Sequence, residues 1–267
     1  MTEAGTRPRV LHVTRNLPPL VGGMERLNWH IADELSRHAE VRVVGPQGSA
    51  ARKPLQVEVE EVPLRPLWRF LLGSAWAALR AARRDRPNVV LAGSGLTAPA
   101  AWLAARAGGA RAAAYVHGLD VAVRHPLYRL LWHPVLRRMD VVVANSRPTA
   151  ALVYALGVDT AKIKVVHPGV ALPMAPQPPE ALRDFRVRHG LGEGRLLLSV
   201  GRLAERKGLR EFVRESLPGI VREAPEVRLV VIGDAPTDSL LAGEQTRDSI
   251  KAEADAAAIG QCVRFLG

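Results

Sequence analysis

Short apolar runs alternate with longer segments of helical periodicity along most of this 267-residue chain. A run of four to eight apolar residues bounded by turn residues is typical of a buried strand, and apolar residues three and four positions apart are typical of a helix. Strands and helices that alternate in this way form a parallel sheet covered by helices on both faces. The sequence therefore predicts an α/β fold, whose ligands bind beyond the carboxyl ends of the strands.

The apolar runs that we predict to be strands fall into two groups. The first group comprises residues 9–14, 41–45, 56–63, 87–93, 111–118, 139–146 and 161–169, and the second comprises residues 195–201, 227–234 and 262–267. Between the groups, residues 167–180 contain five prolines and no strong periodicity, which is typical of a linker. We expect one domain over residues 1–174 and a second over residues 175–267.

The second group has fewer strands than the roughly five or six that are common in a doubly wound sheet. Its last strand also ends the chain, so we expect the second domain to be incomplete. Two helices are predicted in this part, over residues 249–260 and over residues 209–224, the latter with a bend near Pro218 because proline disrupts a helix interior.

Charge is distributed unevenly between the two predicted domains. Residues 1–174 contain 23 Lys and Arg and 12 Asp and Glu, so they hold the whole formal excess of +11, while residues 175–267 contain 14 of each sign. A basic domain beside a neutral one indicates an anionic partner for the first domain, such as nucleic acid, a membrane surface or a phosphorylated substrate. Nucleic acid is disfavoured because no recognised nucleic-acid-binding signature occurs and aromatic residues make up only 4% of the chain.

The single cysteine, Cys262, excludes a disulfide framework and a cysteine-based metal cluster. The sequence contains no stretch of eighteen uncharged apolar residues and no apolar core of a secretory leader near its start. We therefore expect a cytoplasmic location, either free or peripheral at the inner face of the membrane.

Two predicted strands of the first group are followed by residues suited to a site. Gly22 and Gly23 precede a predicted helix and permit close backbone approach, although taken alone they are better explained by a flexible loop with a tight helix entry. His117 follows the strand at 111–116, and Asp120 comes three residues later. A histidine at a strand end is suited to orient or bind a hydroxyl group, and a structural histidine bonded to a nearby carbonyl is an equally good explanation.

Asn145 and Ser146 follow the strand at 140–144, where capping of the next helix is the favoured interpretation. In the second group, Arg202 follows a strand and Lys207 lies at the entrance of a helix, on a turn that can direct both side chains to one point. Two such cations beside a helix N-terminus are suited to bind a pyrophosphate, and the alternative is a solvated pair. Residues 231–236 form a second turn of this kind, suited to lie under a nucleotide.

Six segments occur in an order and spacing that resemble the family 4 glycosyltransferases of GT-B architecture. They are GGMER, VHGLD, VVANS, VVHPGV, GRLAERKG and LVVIGDAP, and together they span nearly the whole chain. The resemblance implies two Rossmann-like domains that face a cleft, the first for the acceptor and the second for the nucleotide-sugar donor. It also implies a transfer that retains the anomeric configuration and needs no metal ion.

The resemblance also implies roles for individual residues. Arg202 and Lys207 would bind the donor diphosphate and stabilise it as a leaving group, and the backbone at Gly22 and Gly23 would bind the same phosphates. His117 would line the catalytic pocket near the transferred sugar. The acceptor-side positions implied by the motifs are Glu25 and Asp120.

One feature of the family is not found in this sequence. The family carries two glutamates eight residues apart, one for the transferred sugar and one for the nucleotide ribose, at positions that would follow Gly267. From this we expect a glycosyltransferase that is truncated in its second domain. The alternative is a non-catalytic fragment that binds acceptor or membrane.

Two segments of the basic domain, residues 63–87 and 123–140, mix large apolar residues with arginines. This mixture is typical of an amphipathic helix at an anionic lipid surface, and also of a core helix with a solvated face. We favour the lipid surface because the charge excess is confined to this domain. A lipid-linked acceptor, which the resemblance allows beside a glycan acceptor, agrees with that interpretation.

Overall fold

The computed structural model of the chain describes residues 7–170, 172, 175–234 and 246–267. The chain divides into two compact units, Met1–Val170 and Ala171–Gly267, called the first and the second unit below. The boundary between the two units lies within the proline-rich segment.

The first unit is built on one parallel sheet of seven strands. The strands are β1 (Arg9–Val13), β2 (Glu40–Pro46), β3 (Val57–Val62), β4 (Val89–Ala92), β5 (Arg111–Val116), β6 (Val141–Ala144) and β7 (Ile163–Val165). They lie in the order β3-β2-β1-β4-β5-β6-β7, so the order reverses between β1 and β4. The seven apolar runs of the first group are confirmed as strands, and the predicted α/β class with a parallel sheet is correct.

Five helices connect these strands. They are α1 (Gly23–Ser36), α2 (Leu67–Asp85), α3 (Ala98–Gly108), α4 (Pro126–Arg138) and α5 (Arg147–Ala155). Alternate residues of a strand point to opposite faces of the sheet, and β1 follows this rule. Leu11 and Val13 pack in a core with residues of α2, α3, α4 and α5, whereas Val10 packs in a separate cluster with Ala32 of α1. The sheet is therefore covered by α1 on one face and by α2 to α5 on the other.

The larger core is made mainly of small side chains. The buried face of α2 consists largely of Ala77, Ala78, Ala81 and Ala82, and α3 meets it with alanines of its own. A Cβ atom added at Gly108 of α3 would lie 2.9 Å from the backbone oxygen of Ala82. Small residues let the two helix backbones approach this closely, so alanines line the contact between α2 and α3.

The second unit holds a parallel sheet of three strands in the order β10-β9-β8. Its elements are α6 (Pro179–Arg188), β8 (Leu196–Val200), α7 (Leu209–Glu215), α8 (Leu217–Glu223), β9 (Arg228–Ile232), α9 (Arg247–Ala256) and β10 (Val263–Phe265). Its core includes Leu203, Val213, Leu217 and Ile250. The three apolar runs of the second group are thus strands of one smaller parallel sheet.

The segment 209–224, which the sequence predicts as one bent helix, is two helices. Helix α7 ends at Glu215 and α8 begins at Leu217, with Ser216 between them. Pro218 lies in the first turn of α8, where the missing N–H group costs nothing because it would have no partner inside the helix. The proline therefore starts a new helix, where the sequence predicted a bend in a continuous one.

Among the described residues, no helix is long and apolar enough to cross a membrane. Of the predicted turn at 231–236, Gly233 and Asp234 are described, while Ala235 and Pro236 lie outside the described residues.

Candidate functional site

The first unit gathers polar groups at the carboxyl ends of β1, β4 and β5, called the carboxyl edge below. Gly93 follows β4 and touches the end of β1 so closely that an added Cβ atom would lie 2.6 Å from the Thr14 Oγ1 and 2.1 Å from the Asn28 Oδ1. The Gly93 N–H donates to the Val13 oxygen at 2.9 Å. Only glycine fits at this position, which lies where the strand order reverses and where open α/β sheets bind ligands.

His117 lies on this edge, at the end of β5. Its Nε2 is 2.9 Å from the Gly93 carbonyl oxygen, so Nε2 carries a proton and donates it to that oxygen. In the neutral ring this leaves Nδ1 as an acceptor. The imidazole is half-buried and lies 5.2 Å from the Tyr115 ring between centroids. The hydrogen bond to the Gly93 carbonyl thus fixes the orientation of the ring and leaves Nδ1 for a further partner.

Asp120 joins two loops of the carboxyl edge. Its Oδ1 accepts from the His117 N–H at 2.9 Å, and its Oδ2 accepts from the Gly95 N–H at 2.6 Å. Burial first, and the Asp120 charge second, raise the pKa of the Tyr128 hydroxyl. Because both carboxylate oxygens accept hydrogen bonds from backbone N–H groups, Asp120 positions the backbone at His117. Its predicted acceptor-side role stays a prediction.

A buried pair of opposite charges lies where β1 leads into α1. Arg15 is 6% exposed and Glu25 is 5% exposed. Burial lowers the pKa of the Arg15 guanidinium, the Glu25 charge opposes that shift, and the Arg65 charge adds to it. The Glu25 Oε1 accepts from the Asn16 amide at 2.8 Å, while Arg15 Nε and Glu25 Oε2 have no hydrogen-bond partner among the described residues.

The predicted glycines begin helix α1. Gly22 is its N-cap and Gly23 its first residue, and no described side chain caps this end. The first N–H groups of a helix have no partner inside it and favour anions. A Cβ atom added at Gly23 would meet no described atom within 4 Å, so packing does not require glycine there.

Asn145 and Ser146 cap helix α5, as the sequence predicts. The Ser146 Oγ accepts from the Thr149 N–H at 3.3 Å, and the Thr149 hydroxyl donates to the Asn145 Oδ1 at 2.7 Å. These polar groups complete the start of the helix.

In the second unit, a turn bounded by glycines follows β8. Gly201 has φ 143° and Gly208 has φ 67°, both in the region that favours glycine. Leu203 lies on the turn with its side chain buried, and its backbone N–H donates to the backbone carbonyl oxygen of Asp234 at 3.0 Å. A Cβ atom added at Gly233 would lie 2.2 Å from the Gly201 oxygen. The turns after β8 and β9 are therefore in direct backbone contact.

Arg202 and Lys207 both lie on this turn. Arg202 is half-buried and Lys207 is exposed, in a short 3-10 helix that immediately precedes Gly208 and α7. Within the described part of the chain, neither side chain has a hydrogen-bond or ion-pair partner. By contrast, Arg247 forms an ion pair with Asp234 at 2.7 Å. The structure thus leaves the two predicted cations available to an anion outside the protein fold.

The glycines, the histidine and the two cations stand in the positions that the sequence motifs predict. Residues 21–172, more than half of the chain, match the sequence model of Glycosyltransferase Family 4. The chain belongs to this family. The matched segment covers the carboxyl edge of the first unit from α1 onward, including the Gly22–Gly23 pair and His117.

A curated relative of this family 4 chain comes from Mycolicibacterium smegmatis. It is a GDP-mannose-dependent alpha-(1-6)-phosphatidylinositol monomannoside mannosyltransferase, 28% identical over 239 residues. The match covers 85% of this chain and 61% of the relative. The chain thus spans about three fifths of the length of that enzyme.

Solved structures share the fold at low identity. Anabaena Alr3699/HepE in complex with UDP has a TM-score of 0.76 and 18% identity, covering 97% of this chain and 69% of the other. The sucrose-phosphate synthase of Thermosynechococcus elongatus has a TM-score of 0.73 and 16% identity, covering 98% of this chain and 70% of the other. These likenesses confirm the predicted fold class, a GT-B type α/β protein.

Two residues of the carboxyl edge were missed by sequence reasoning. Arg15 lies two residues after β1, so its place near a strand end was a usable signal, but only the structure reveals that it is buried. Gly93 follows β4 in the same way, and its contacts with Asn28 and Thr14 depend on the packing of α1. Among the described residues, no group of three or more His, Cys, Asp or Glu side chains is arranged to hold a metal ion.

Proposed function

We propose that this chain is a glycosyltransferase that takes a sugar from a nucleotide-diphosphate sugar. The observation that carries the proposal is the turn after β8, where Arg202 and Lys207 lie without partners in the described part of the chain. No carboxylate of the described residues engages these two cations, and two cations on one turn suit a diphosphate, which accepts charge-assisted hydrogen bonds. The names of the relatives support this donor class, since one uses GDP-mannose and another binds UDP.

In this proposal the cations act mainly on the leaving group. When the bond between the sugar and the diphosphate breaks, negative charge grows on the phosphate oxygens, and fixed cations stabilise that charge. The interaction is stronger in the transition state than in the bound donor, so it accelerates transfer and does not only tighten binding. Arg202 and Lys207 are thus expected to affect turnover more than donor affinity.

The first unit contributes its own groups. The free N–H groups of Gly22 and Gly23 at the start of α1 suit phosphate oxygens, and the absence of a side chain at Gly23 leaves room for a ligand close to the backbone. His117 presents Nδ1 as an acceptor for a sugar hydroxyl, with the ring fixed through Gly93. Glu25 is assigned to the acceptor side, with one carboxylate oxygen that no described residue uses.

The finer features of the reaction follow the family resemblance. We propose that the transfer retains the anomeric configuration, proceeds without a metal ion and uses a glycan or lipid-linked acceptor in cell-surface polysaccharide or glycolipid synthesis. An anionic membrane surface is proposed as a partner of the basic first unit. Nuclear magnetic resonance of the product tests the configuration, and turnover in excess EDTA tests the metal independence.

A calorimetric titration with UDP-glucose and with GDP-mannose tests the donor site. We expect the chain to bind at least one of them, and expect Arg202→Ala or Lys207→Ala to weaken binding by about tenfold or more, since a charge-assisted bond to phosphate contributes roughly 1.5–3 kcal/mol. Arg206→Ala is the matched control. Arg206 lies on the same turn and is exposed, and its loss should change affinity by less than about twofold.

The control separates a specific site from general attraction. Equal losses for Arg206→Ala and Lys207→Ala would mean that only the net charge of the turn matters. Failure to bind either donor would contradict the donor site in this chain. Binding without transfer to any acceptor would favour the alternative, a fragment that binds substrates and does not turn them over.

A further inference from the structure

The segment VVHPGV places a second histidine beside the carboxyl edge. His167 is the second residue after β7, and His117 is the first residue after β5. Strands β5 and β7 lie on either side of β6 and are parallel to it, so both histidines lie at the carboxyl ends of the strands. The transfer proposed above gives His117 a role and leaves His167 without one.

The two histidine rings are held in the same way. The His117 Nε2 donates to the carbonyl oxygen of Gly93, the first residue after β4, at 2.9 Å. The His167 Nδ1 lies 3.1 Å from the carbonyl oxygen of Asn145, the first residue after β6. Because a carbonyl oxygen only accepts, the His167 Nδ1 carries a proton, and in the neutral ring its Nε2 accepts. The two rings are therefore opposite tautomers, each with one nitrogen left for a hydrogen-bond donor.

One buried tyrosine supports both histidines. Tyr115 is 6% exposed, and its ring lies 5.2 Å from the His117 ring between centroids. Its hydroxyl donates to the carbonyl oxygen of Val166 at 2.8 Å, and the Val166 N–H donates to the carbonyl oxygen of Ala144 at 3.0 Å. The backbone that leads into His167 is thus held by two hydrogen bonds, one of them from the residue that packs on His117.

His167 is exposed although its surroundings restrain it. Pro168 follows it and restricts its backbone to extended conformations. An exposed side chain usually keeps its rotamer freedom, because fixing it costs conformational entropy. Here the hydrogen bond to Asn145 fixes the ring, and its Nε2 has no partner among the described residues. The ring is therefore oriented in advance at an edge where open α/β sheets bind ligands.

The strand order sets the distance between the two histidines. Neighbouring strands lie about 4.8 Å apart, so β5 and β7, which are separated by β6, lie about 10 Å apart. Each histidine bonds to the neighbouring strand on the side that faces β1, so both rings are displaced in the same direction and the separation is kept. A single sugar ring is shorter than this separation. A ligand that reaches both histidines therefore needs at least two rings.

We propose that His167 determines specificity for the acceptor substrate by accepting a hydrogen bond from a hydroxyl group of its second sugar ring. A neutral ring nitrogen with a lone pair suits a hydroxyl donor, whereas ionised phosphate and carboxylate groups offer only acceptors. In this arrangement His117 binds the ring at the reaction centre and His167 binds the ring beyond it. The inference rests on the proposed transfer only in naming this ligand the acceptor substrate, because the binding itself is measured without a donor.

Nuclear magnetic resonance of the chain with 15N-labelled histidine tests the arrangement of the rings. At about pH 8 an ordinary histidine is neutral, and correlations between ring nitrogens and carbon-bound protons identify the tautomer. We expect Nε2–H for His117 and Nδ1–H for His167, with each signal assigned by its loss in the alanine variant. A His167 ring in the Nε2–H form, or in a mixture of both forms, would overturn the proposal.

Titration of the labelled chain with sugars tests the binding. The two-ring probes are α-(1-6)-mannobiose and maltose, and their one-ring counterparts are methyl α-mannoside and methyl α-glucoside, which contain the sugars of the two donors named above. We expect at least one two-ring probe to shift the His167 Nε2 signal and to bind about fivefold or more tightly than its one-ring counterpart, the gain expected of a neutral hydrogen bond. His167→Ala should reduce that preference to about twofold or less and leave one-ring affinity unchanged.

His38→Ala is the matched control. His38 is exposed and precedes β2, at the opposite ends of the strands, so its loss should change each sugar affinity by less than about twofold. Circular dichroism verifies that both alanine variants fold, which is expected because both side chains are exposed. No nucleotide is present, so failure of the donor site would leave these results unchanged. A His167 signal that none of the probes shifts, or a two-ring preference that persists in His167→Ala, would overturn the proposal.

Discussion

At the scale of single residues, two glycines of the first unit are required for opposite reasons. Gly93 is enclosed, with the Asn28 and Thr14 side chains where its Cβ atom would lie. Gly23 is open, with no described atom within 4 Å of that point. The fold explains the first glycine, and in our account the approach of a ligand explains the second.

The enclosed glycine gives a prediction about stability. Gly93→Ala should lower the free energy of unfolding by about 3 kcal/mol, the upper part of the usual range for overpacking, because its Cβ atom would lie 2.1 Å from the Asn28 Oδ1. Asn28 has little room to move, since it is fully buried and holds His12 at 3.0 Å. Urea unfolding followed by circular dichroism measures the loss, and a loss below about 1 kcal/mol would contradict this packing.

For Gly23, the account predicts that substitution by alanine affects stability and donor binding differently. Gly23→Ala should leave the free energy of unfolding unchanged or raise it by up to about 0.5 kcal/mol, since alanine is the better helix former. The same change should weaken nucleotide-sugar binding by about fivefold or more. Gly219→Ala is the control, because Gly219 lies in α8 with no described atom within 4 Å and outside the proposed site. Equal donor affinity of both variants would remove Gly23 from the site.

Buried His12 predicts a dependence of stability on pH. Its Nε2 donates to the Asn28 Oδ1, its Nδ1 has no partner among the described residues, and burial lowers its pKa from 6.5 to about 4. The unfolded chain therefore binds the proton more readily between these values. The stabilisation is fully present above about pH 6.5 and is lost as the pH falls towards 4, by about 3 kcal/mol in total.

A variant isolates this contribution from the other titrating groups. Between pH 7 and pH 5, His12→Gln should lose about 2 kcal/mol less unfolding free energy than the unchanged chain. His38→Gln, at an exposed histidine, should lose as much as the unchanged chain. Urea unfolding at the two pH values gives the comparison, and identical losses for all three chains would mean that His12 does not titrate with the predicted cost.

At the scale of elements, the helices differ in whether a side chain caps their N-terminal N–H groups. Ser146 accepts from the Thr149 N–H at the start of α5, whereas Ser216, at the start of α8, makes no capping bond to a described residue. Ser146→Ala should therefore lower the free energy of unfolding by about 1 kcal/mol. Ser216→Ala should change it by less than half as much, and urea unfolding would contradict the capping role if both costs were equal.

The sequence predicts strands well and helix faces poorly, for physical reasons. A buried strand is a short apolar run and a half-exposed one, such as residues 56–63, alternates apolar with polar residues. All ten segments predicted on these patterns contain strands in the structure. On α2, however, the alanines are buried and Trp68 and Trp76 are exposed. Side-chain size favours burial of tryptophan, but the close approach of α3 admits only small residues. That preference depends on how closely α3 packs against α2, so it could not be deduced from the sequence of α2 alone.

Part of the candidate site could also be predicted from the sequence. His117 directly follows β5, Arg202 comes two residues after β8, and Lys207 lies just before α7. These places at strand ends and at a helix entrance suffice to select them. Arg15 also lies near the end of a strand, but an arginine is ordinarily expected to be exposed to solvent. Only the structure reveals that its side chain is buried. The carboxylate of Asp120 is engaged by backbone N–H groups at Gly95 and His117, a pairing between loops that spacing cannot reveal.

At the scale of the whole molecule, the two units carry different parts of the account. The first unit holds the excess positive charge and the carboxyl edge with His117. The second unit has equal numbers of acidic and basic residues, and Arg202 and Lys207 lie on one turn without partners among the described residues. This division agrees with a chain in which one unit binds a nucleotide-sugar donor and the other binds an acceptor at a charged surface, which is the function we propose.

The most direct test of the central claim compares nucleoside diphosphates with monophosphates. We predict that the chain binds UDP or GDP at least about tenfold more tightly than the matching monophosphate, because Arg202 and Lys207 bind the second phosphate. In Lys207→Ala that preference should fall to about twofold or less, and in Arg206→Ala it should persist. Equal affinity for diphosphate and monophosphate, or a preference that survives the loss of Lys207, would contradict the claim that this turn binds the donor diphosphate.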